Sequence, residues 1–222
     1  MLVKAWMSTD LISVDENTSM MKASQIMKEN NIRRLPVMKG DRLVGILTDR
    51  DGKAASPSKA TTLDMHELYY LLSELKVRDI MTKNLVTISP EETVEKAAVK
   101  MLEHRISGLP VVNEQGKLVG MLSQGDVFRV LISITGIYRG GVQFAFNLPD
   151  KPGSIKEVAD VIRKHGGRMA SILTSYDSCE EDCRHVFIRI LNMEPDKLKA
   201  LEDDLDQNFI LLYTVKDALK DV

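Results

Sequence analysis

Two short stretches of this chain place a hydroxyl and a carboxylate three residues apart, each behind a glycine and an apolar pair. They are Gly45-Ile46-Leu47-Thr48-Asp49-Arg50-Asp51 and Gly120-Met121-Leu122-Ser123-Gln124-Gly125-Asp126. A carboxylate accepts hydrogen bonds from both hydroxyls of a ribose, a Thr or Ser hydroxyl reaches sugar or phosphate, and an adjoining helix N-terminus favours an anion. A plainer reading stands beside this one: Thr48 and Ser123 cap the helices that follow, with Asp51 and Asp126 in the first turn, where the helix dipole favours negative charge. Recurrence of the whole pattern at one point of a repeat favours the ligand reading over the cap.

The repeat extends well upstream of the motifs. Leu35-Pro36-Val37 answers Leu109-Pro110-Val111, Leu43-Val44-Gly45 answers Leu118-Val119-Gly120, and Met7 answers Met81. The offset is 74 at Met7 and Pro36 and 75 at Gly45, so a one-residue insertion falls between those points. Repeated units of this kind bury their apolar faces against one another, so two copies imply a pseudo-twofold pair with a cleft between them. Within each copy the apolar period alternates. Leu11 to Val14 and Leu85 to Ile88 read as short strands, followed by helices capped by Thr18 and Thr93. Second strands run over Leu35 to Met38 and Leu109 to Val112, and third strands over Leu43 to Leu47 and Leu118 to Leu122. Lys39-Gly40-Asp41 and Glu114-Gln115-Gly116 form the hairpin turns between them. A helix after each motif completes a β-α-β-β-α unit. Between the copies, Ser56-Pro57-Ser58 breaks the chain, and Leu63, Leu68, Leu71, Leu72 and Leu75 suggest a linker helix over 61–76, with His66 at its surface.

In this frame Ile12, Val14, Val86 and Ile88, with Val37, Ile46, Val111 and Met121, are candidates to wall an adenine slot. Arg33, Arg34, Arg50 and Lys53 in the first copy, and His104 and Arg105 in the second, are candidates to meet phosphates; taken singly, each reads more readily as a solvated surface charge. Arg33-Arg34 precedes the first Leu-Pro, whereas Ser107-Gly108 precedes the second. The two clefts are therefore expected to be unequal, the one around Asp51 preferring the more anionic ligand.

After about residue 136 the pattern changes, with Tyr138-Arg139-Gly140-Gly141 as the boundary. Val142, Phe144, Phe146 and Leu148 alternate as in a half-buried strand. Asp150 to Ser154 form a turn, and Ile155, Val158, Ala159 and Ile162 mark a helix stopped by Gly166-Gly167. Strands over Met169 to Ser175 and Val186 to Leu191, a helix opened by Pro195, and a last strand from Phe209 to Val215 give the order βαββαβ of a ferredoxin-like domain.

Other classes of chemistry find little support. Cys179-Glu180-Glu181-Asp182-Cys183-Arg184-His185 lacks the second ligand pair that a zinc site uses, so no metal is expected, and a polar loop or a thiol pair is the alternative. No Ser/His/Asp order, paired catalytic carboxylates or Walker-type loop occurs, so no catalysis and no catalytic cofactor are expected. A formal net charge of -2 argues against a nucleic-acid or anionic-membrane partner. No apolar run approaches the ~18 residues of a spanning helix, and the opening residues lack a signal-peptide profile. Two cysteines give no disulfide framework. A cytoplasmic protein is expected.

The duplicated unit resembles the cystathionine-β-synthase (CBS) domain pair, or Bateman module, over residues 1 to about 133. That resemblance implies adenosine-containing ligands (AMP, ADP, ATP or S-adenosylmethionine) in clefts between the two domains, with ribose contacts from Thr48 and Asp51 and from Ser123 and Asp126. Residues 141–216 resemble an ACT domain through the βαββαβ order and Asp150-Lys151-Pro152-Gly153-Ser154-Ile155. The implied amino-acid site lies at Asp150, Gly153 and Ser154, where glycine permits close backbone approach and the helix N-terminus receives a carboxylate; a tight turn serving assembly alone is the alternative. The combination, with Ala55-Ser56-Pro57-Ser58 after the first motif, is similar to the acetoin-utilisation regulatory proteins. It implies a non-enzymatic sensor of small-molecule effectors in acetoin or acetyl-group metabolism, forming a homo-oligomer (a dimer) and acting on a metabolic enzyme. A scaffold protein with empty clefts is the rival reading. The expected architecture is α/β (α+β), with CBS domains at 1–60 and 77–135, the linker helix at 61–76 and the ACT domain at 141–216.

Overall fold

The computed structural model describes residues 1–55, 70, 73–177, 179 and 182–216. They form two compact units, Met1–Val127 and Phe128–Val222.

The N-terminal unit builds the same elements twice. The first copy consists of β1 (Val14–Asp15), α1 (Met20–Glu29), β2 (Arg34–Lys39), β3 (Arg42–Thr48) and α2 (Asp49–Ala55). A short helix α3 (Val77–Ile80) leads into α4 (Val94–Glu103), β4 (Gly108–Val112), β5 (Leu118–Ser123) and α5 (Gln124–Thr135), whose later turns belong to the second unit. Strand β1 pairs parallel to β2, which pairs antiparallel to β3. In the second copy β4 pairs with β5, and a single parallel bridge, Ile88 to Val111, stands where β1 would be. The first strands are thus shorter than the apolar runs suggest, because Leu11, Ile12, Leu85 and Val86 leave the sheet and line cavities.

Burial follows the repeat position by position. Val3, Val14, Ala23, Met27, Leu35, Val37 and Leu47 are buried, and so are Val77, Ile88, Ala97, Met101, Leu109, Val111 and Leu122. The helix caps match as well: Ser19 accepts the Lys22 amide, and Thr93 accepts that of Lys96. Thr18, the expected cap of α1, lies one residue too early; its carbonyl accepts the Val77 amide instead. Both hairpins carry a bulge at equivalent points, after Val37 and after Val111. The one-residue insertion therefore sits in the turn, with Gly40 and Gly116 both at positive φ.

Each copy is completed by the segment leading into the other. Ser8 bridges to Met121 in the second copy, and Thr82 bridges to Ile46 in the first. Leu2 meets Thr93 as Lys76 meets Ser19. Met7 and Met81 recur because each crosses a glycine of the opposite copy. A Cβ at Gly120 would lie 2.5 Å from the Met7 Sδ, and one at Gly45 would lie 2.3 Å from the Met81 Sδ. Most of the linker helix expected over 61–76, His66 included, lies outside the described residues.

The C-terminal unit contains β6 (Val142–Pro149), α6 (Ser154–Lys164), β7 (Met169–Ser175), β8 (Cys183–Ile190), α7 (Pro195–Asn208) and β9 (Ile210–Lys216). Its sheet runs β7-β8-β6-β9 with every neighbour antiparallel, which is the ferredoxin-like topology. Phe144, Phe146, Val158, Ile162, Ile188, Leu201 and Leu205 form its buried core between sheet and helices. Arg189 is buried here, and its Nε donates to the carbonyl of Thr135 at the end of α5, a position where the helix dipole favours a cation. Cys179 and Cys183 are joined by a disulfide, with Cα atoms 5.9 Å apart. This bond links residues four apart in sequence rather than tying distant elements together.

Candidate functional site

Thr48 ends β3, and Asp51 lies in the first turn of α2. The Asp51 Oδ2 accepts the Thr48 amide at 2.8 Å and the Thr48 hydroxyl at 2.7 Å, while the Thr48 Oγ1 accepts the Asp51 amide at 3.3 Å. Ser123 and Asp126 repeat these contacts at 2.7, 2.6 and 3.2 Å. The arrangement is a capping box with Asp at its third position, so the local contact is the one the plainer reading anticipates. It also fixes each carboxylate at the wall of a cavity.

The first cavity has a volume of ≈ 550 Å³ and the second ≈ 380 Å³, both within the range of small-molecule sites. Each is assembled from both copies. Thr48 and Asp51 of the first copy face Leu85, Val86 and Ile106 of the second. Ser123 and Asp126 of the second copy face Leu11, Ile12 and Ile32 of the first. These sets exchange under the repeat: Leu11 corresponds to Leu85, Ile12 to Val86 and Ile32 to Ile106. The pair is therefore one site built twice, with a polar wall from one copy and an apolar wall from the other.

The remaining candidates divide among these surroundings. Ile46 lines the Asp51 cavity and Met121 the Asp126 cavity. Val14, Val37, Ile88 and Val111 are buried in the cores of the sheets and line neither: Val37 and Val111 alternate with Pro36 and Pro110, which pair with the cavity residues Ile46 and Met121, and Val14 and Ile88 pair with Val37 and Val111. His104 ends α4 and lines neither cavity. Asp10 and Asn84, which did not stand out in the sequence, occupy equivalent places in the Asp126 and Asp51 cavities. The offset of 74 that aligns Pro36 with Pro110 also aligns these two.

Charge distinguishes the cavities. Arg33, Arg34, Arg50, Lys53 and Arg105 line the Asp51 cavity against Asp49 and Asp51. The Asp126 cavity has Arg33 and Arg34 against Asp10 and Asp126. The allocation differs from a division by sequence copy: Arg105 crosses to the Asp51 cavity, Ser107 lines that cavity as well, and Arg33 and Arg34 line both. Arg34 sits opposite Thr48 in the β2–β3 register, and its Nη2 donates to the Ser107 hydroxyl. Its side chain passes over Gly108, where a Cβ would lie 3.1 Å from the Nε and Nη1. Burial lowers the pKa of this guanidinium and Arg33 adds to the lowering, while Asp49 opposes it.

In the C-terminal unit, Gly153 takes a left-handed conformation (φ 94°) at the start of α6. The buried Ser154 hydroxyl donates to the Lys151 carbonyl and accepts from the Arg184 Nη2 at 3.0 Å, and Arg184 also pairs with Asp150 at 3.4 Å. Among the described residues no cluster of three or more His, Cys, Asp or Glu side chains could hold a metal ion. No helix of the described residues is long and apolar enough to cross a membrane.

The family model described as the CBS domain matches residues 3–55 and 77–133. A CBS domain-containing protein of Dictyostelium discoideum is 36% identical over 134 residues, 60% of this chain and 92% of the relative. The CBS-pair protein CBSX2 of Arabidopsis thaliana, solved in complex with AMP, is 31% identical with a TM-score of 0.50; the match covers 60% of this chain and 98% of that one. A Vibrio cholerae protein provisionally named an acetoin utilization protein shares the fold of the pair, with a TM-score of 0.52, 23% identity and coverage of 62% of this chain and 95% of that one. A homoserine O-acetyltransferase of Methanosalsum zhilinae and an inosine-5'-monophosphate dehydrogenase of Korarchaeum cryptofilum also match, but the chain spans only 23% and 22% of their lengths. The doubled unit, its two reciprocal cavities and these matches together assign the chain to the CBS-domain family, with its domain pair at residues 3–55 and 77–133.

Proposed function

We propose that this protein is a regulatory sensor that binds adenosine-containing ligands in the two cavities of its CBS pair. The observation that carries the reading is the reciprocal construction: each cavity sets a hydroxyl and a fixed carboxylate of one copy across from apolar residues of the other. The apolar wall receives the adenine, Asp51 or Asp126 accepts the ribose hydroxyls, and the arginines meet a phosphate. The AMP complex of CBSX2 supports the choice of ligand class; S-adenosylmethionine, ADP and ATP share the adenosine that this wall would select.

The C-terminal unit, read as an ACT domain, binds an amino acid at Asp150, Gly153 and Ser154 or joins two chains. Exposed apolar residues, Val99 and Leu102 on α4 and Ile210, Leu212 and Val215 on β9, favour a homodimer; a single-chain mass in light scattering would remove that part. The protein acts in the cytoplasm without catalysis of its own, on an enzyme of acetoin or acetyl-group metabolism. A thermal-shift series with adenosine, AMP, ADP, ATP, S-adenosylmethionine, GMP and the common amino acids tests the reading. A ligand at 100 times its dissociation constant adds ~2.7 kcal/mol, so at least one adenosine compound must raise the melting temperature while GMP does not. Absence of any adenosine response would leave the scaffold reading.

A further inference from the structure

Arg34 and Gly108 occupy the same position in the two copies, 74 residues apart, yet they lie against each other. This contact marks the place where the copies meet. Each position sits beside its own motif, since Arg34 pairs with Thr48 across β2–β3 and Gly108 pairs with Ser123 across β4–β5. Two arginines here would compete for one volume and repel. The chain instead has one arginine and one glycine, and the glycine leaves the room through which the Arg34 side chain crosses to Ser107. Arg34 is thereby a wall of both cavities.

We propose that Arg34 is a shared phosphate-recognition residue that couples the two cavities antagonistically. The inference rests on the adenosine-ligand reading above. A phosphate in either cavity draws on the same guanidinium, and the second phosphate meets a cation whose charge the first has already partly neutralised. An anionic ligand therefore binds the second cavity more weakly than it binds that cavity alone, whereas uncharged adenosine leaves the cavities independent. Arg33 also borders both cavities, but it is exposed and in contact with solvent, so its charge is better screened and its share of the coupling is smaller.

Calorimetric titration of AMP and of adenosine tests this. Asp51→Ala and Asp126→Ala give the affinity of each cavity alone, and the unmodified protein gives the two successive affinities. Coupling between sites is typically ~5–150-fold, so the second AMP should bind at least ~5-fold more weakly than the single-cavity values require. Arg34→Gln should abolish that difference while weakening AMP at both cavities. Arg34→Lys, which keeps the charge, should retain it, and guards against a folding defect in the glutamine variant. Adenosine should show no difference in any form. AMP binding that fits two independent cavities, or coupling that survives in Arg34→Gln, overturns the proposal while leaving adenosine-ligand binding intact. Absence of AMP and adenosine binding alike overturns both.

Discussion

The Thr48–Asp51 and Ser123–Asp126 pairs show one carboxylate doing two jobs. Each closes a helix cap through Oδ2 and forms part of a cavity wall, so a variant at either position changes stability and site together. A cap of this kind contributes ~0.5–2 kcal/mol, and affinity must be read on protein shown to be folded. Glu92 is a carboxylate whose work is structural alone. Pairing with Lys96, a hydrogen bond from the Ser89 amide at 2.8 Å and the nearby Lys100 hold its pKa at about 2, against the resistance of partial burial. Because the folded value lies below the ordinary ~4.3 of an unfolded glutamate, its contribution is complete above that value and is lost as the pH falls toward about 2. Glu92→Gln should lower stability at neutral pH and flatten the acid limb of thermal unfolding measured from pH 7 to pH 2. An unchanged acid limb would mean that the Lys96 pairing does not persist in solution.

At the scale of elements, the repeat was legible because burial, caps and turns follow the same positions in both copies. Even the misplaced cap of α1 was recoverable: counting back 74 from Thr93 gives Ser19, not Thr18. What the sequence could not display is the exchange of leading segments. Met7 and Met81 match in the repeat, but only the fold sets each across a glycine of the other copy. The same exchange explains why Leu11, Ile12, Leu85 and Val86 read as strand residues: their apolar character serves a cavity wall rather than a sheet. A Cβ at Gly120 would also come within 3.1 Å of the Ser8 carbonyl, which is fixed by its bridge to Met121, whereas at Gly45 the three nearest atoms all belong to the adjustable Met81 side chain. Gly120→Ala should therefore destabilise by ~1–3 kcal/mol and Gly45→Ala by less. Denaturant unfolding of the two variants decides it, and equal losses would contradict the distinction.

For the molecule as a whole, the duplication supplies two sites, and the departures from symmetry make them different. Which cation serves which cavity was not legible from the chain, since Arg105 and Ser107 cross over and Arg33 and Arg34 serve both; only the tertiary pairing of the copies decides that. With five cations against two carboxylates, compared with two against two, the Asp51 cavity should prefer AMP over adenosine more strongly than the Asp126 cavity does. It should also lose more affinity when salt is added. Equal preference and equal salt dependence would make the charge difference incidental. The most direct test of the central claim is calorimetric titration of AMP into the unmodified protein and into Asp51→Ala and Asp126→Ala, each verified as folded. Two sites per chain are expected in the first, and one of them should be weakened in each variant by roughly 10–150-fold, the equivalent of ~1.5–3 kcal/mol of charge-assisted hydrogen bonding. Unchanged AMP binding in both variants would contradict the account and leave the two carboxylates as helix caps alone.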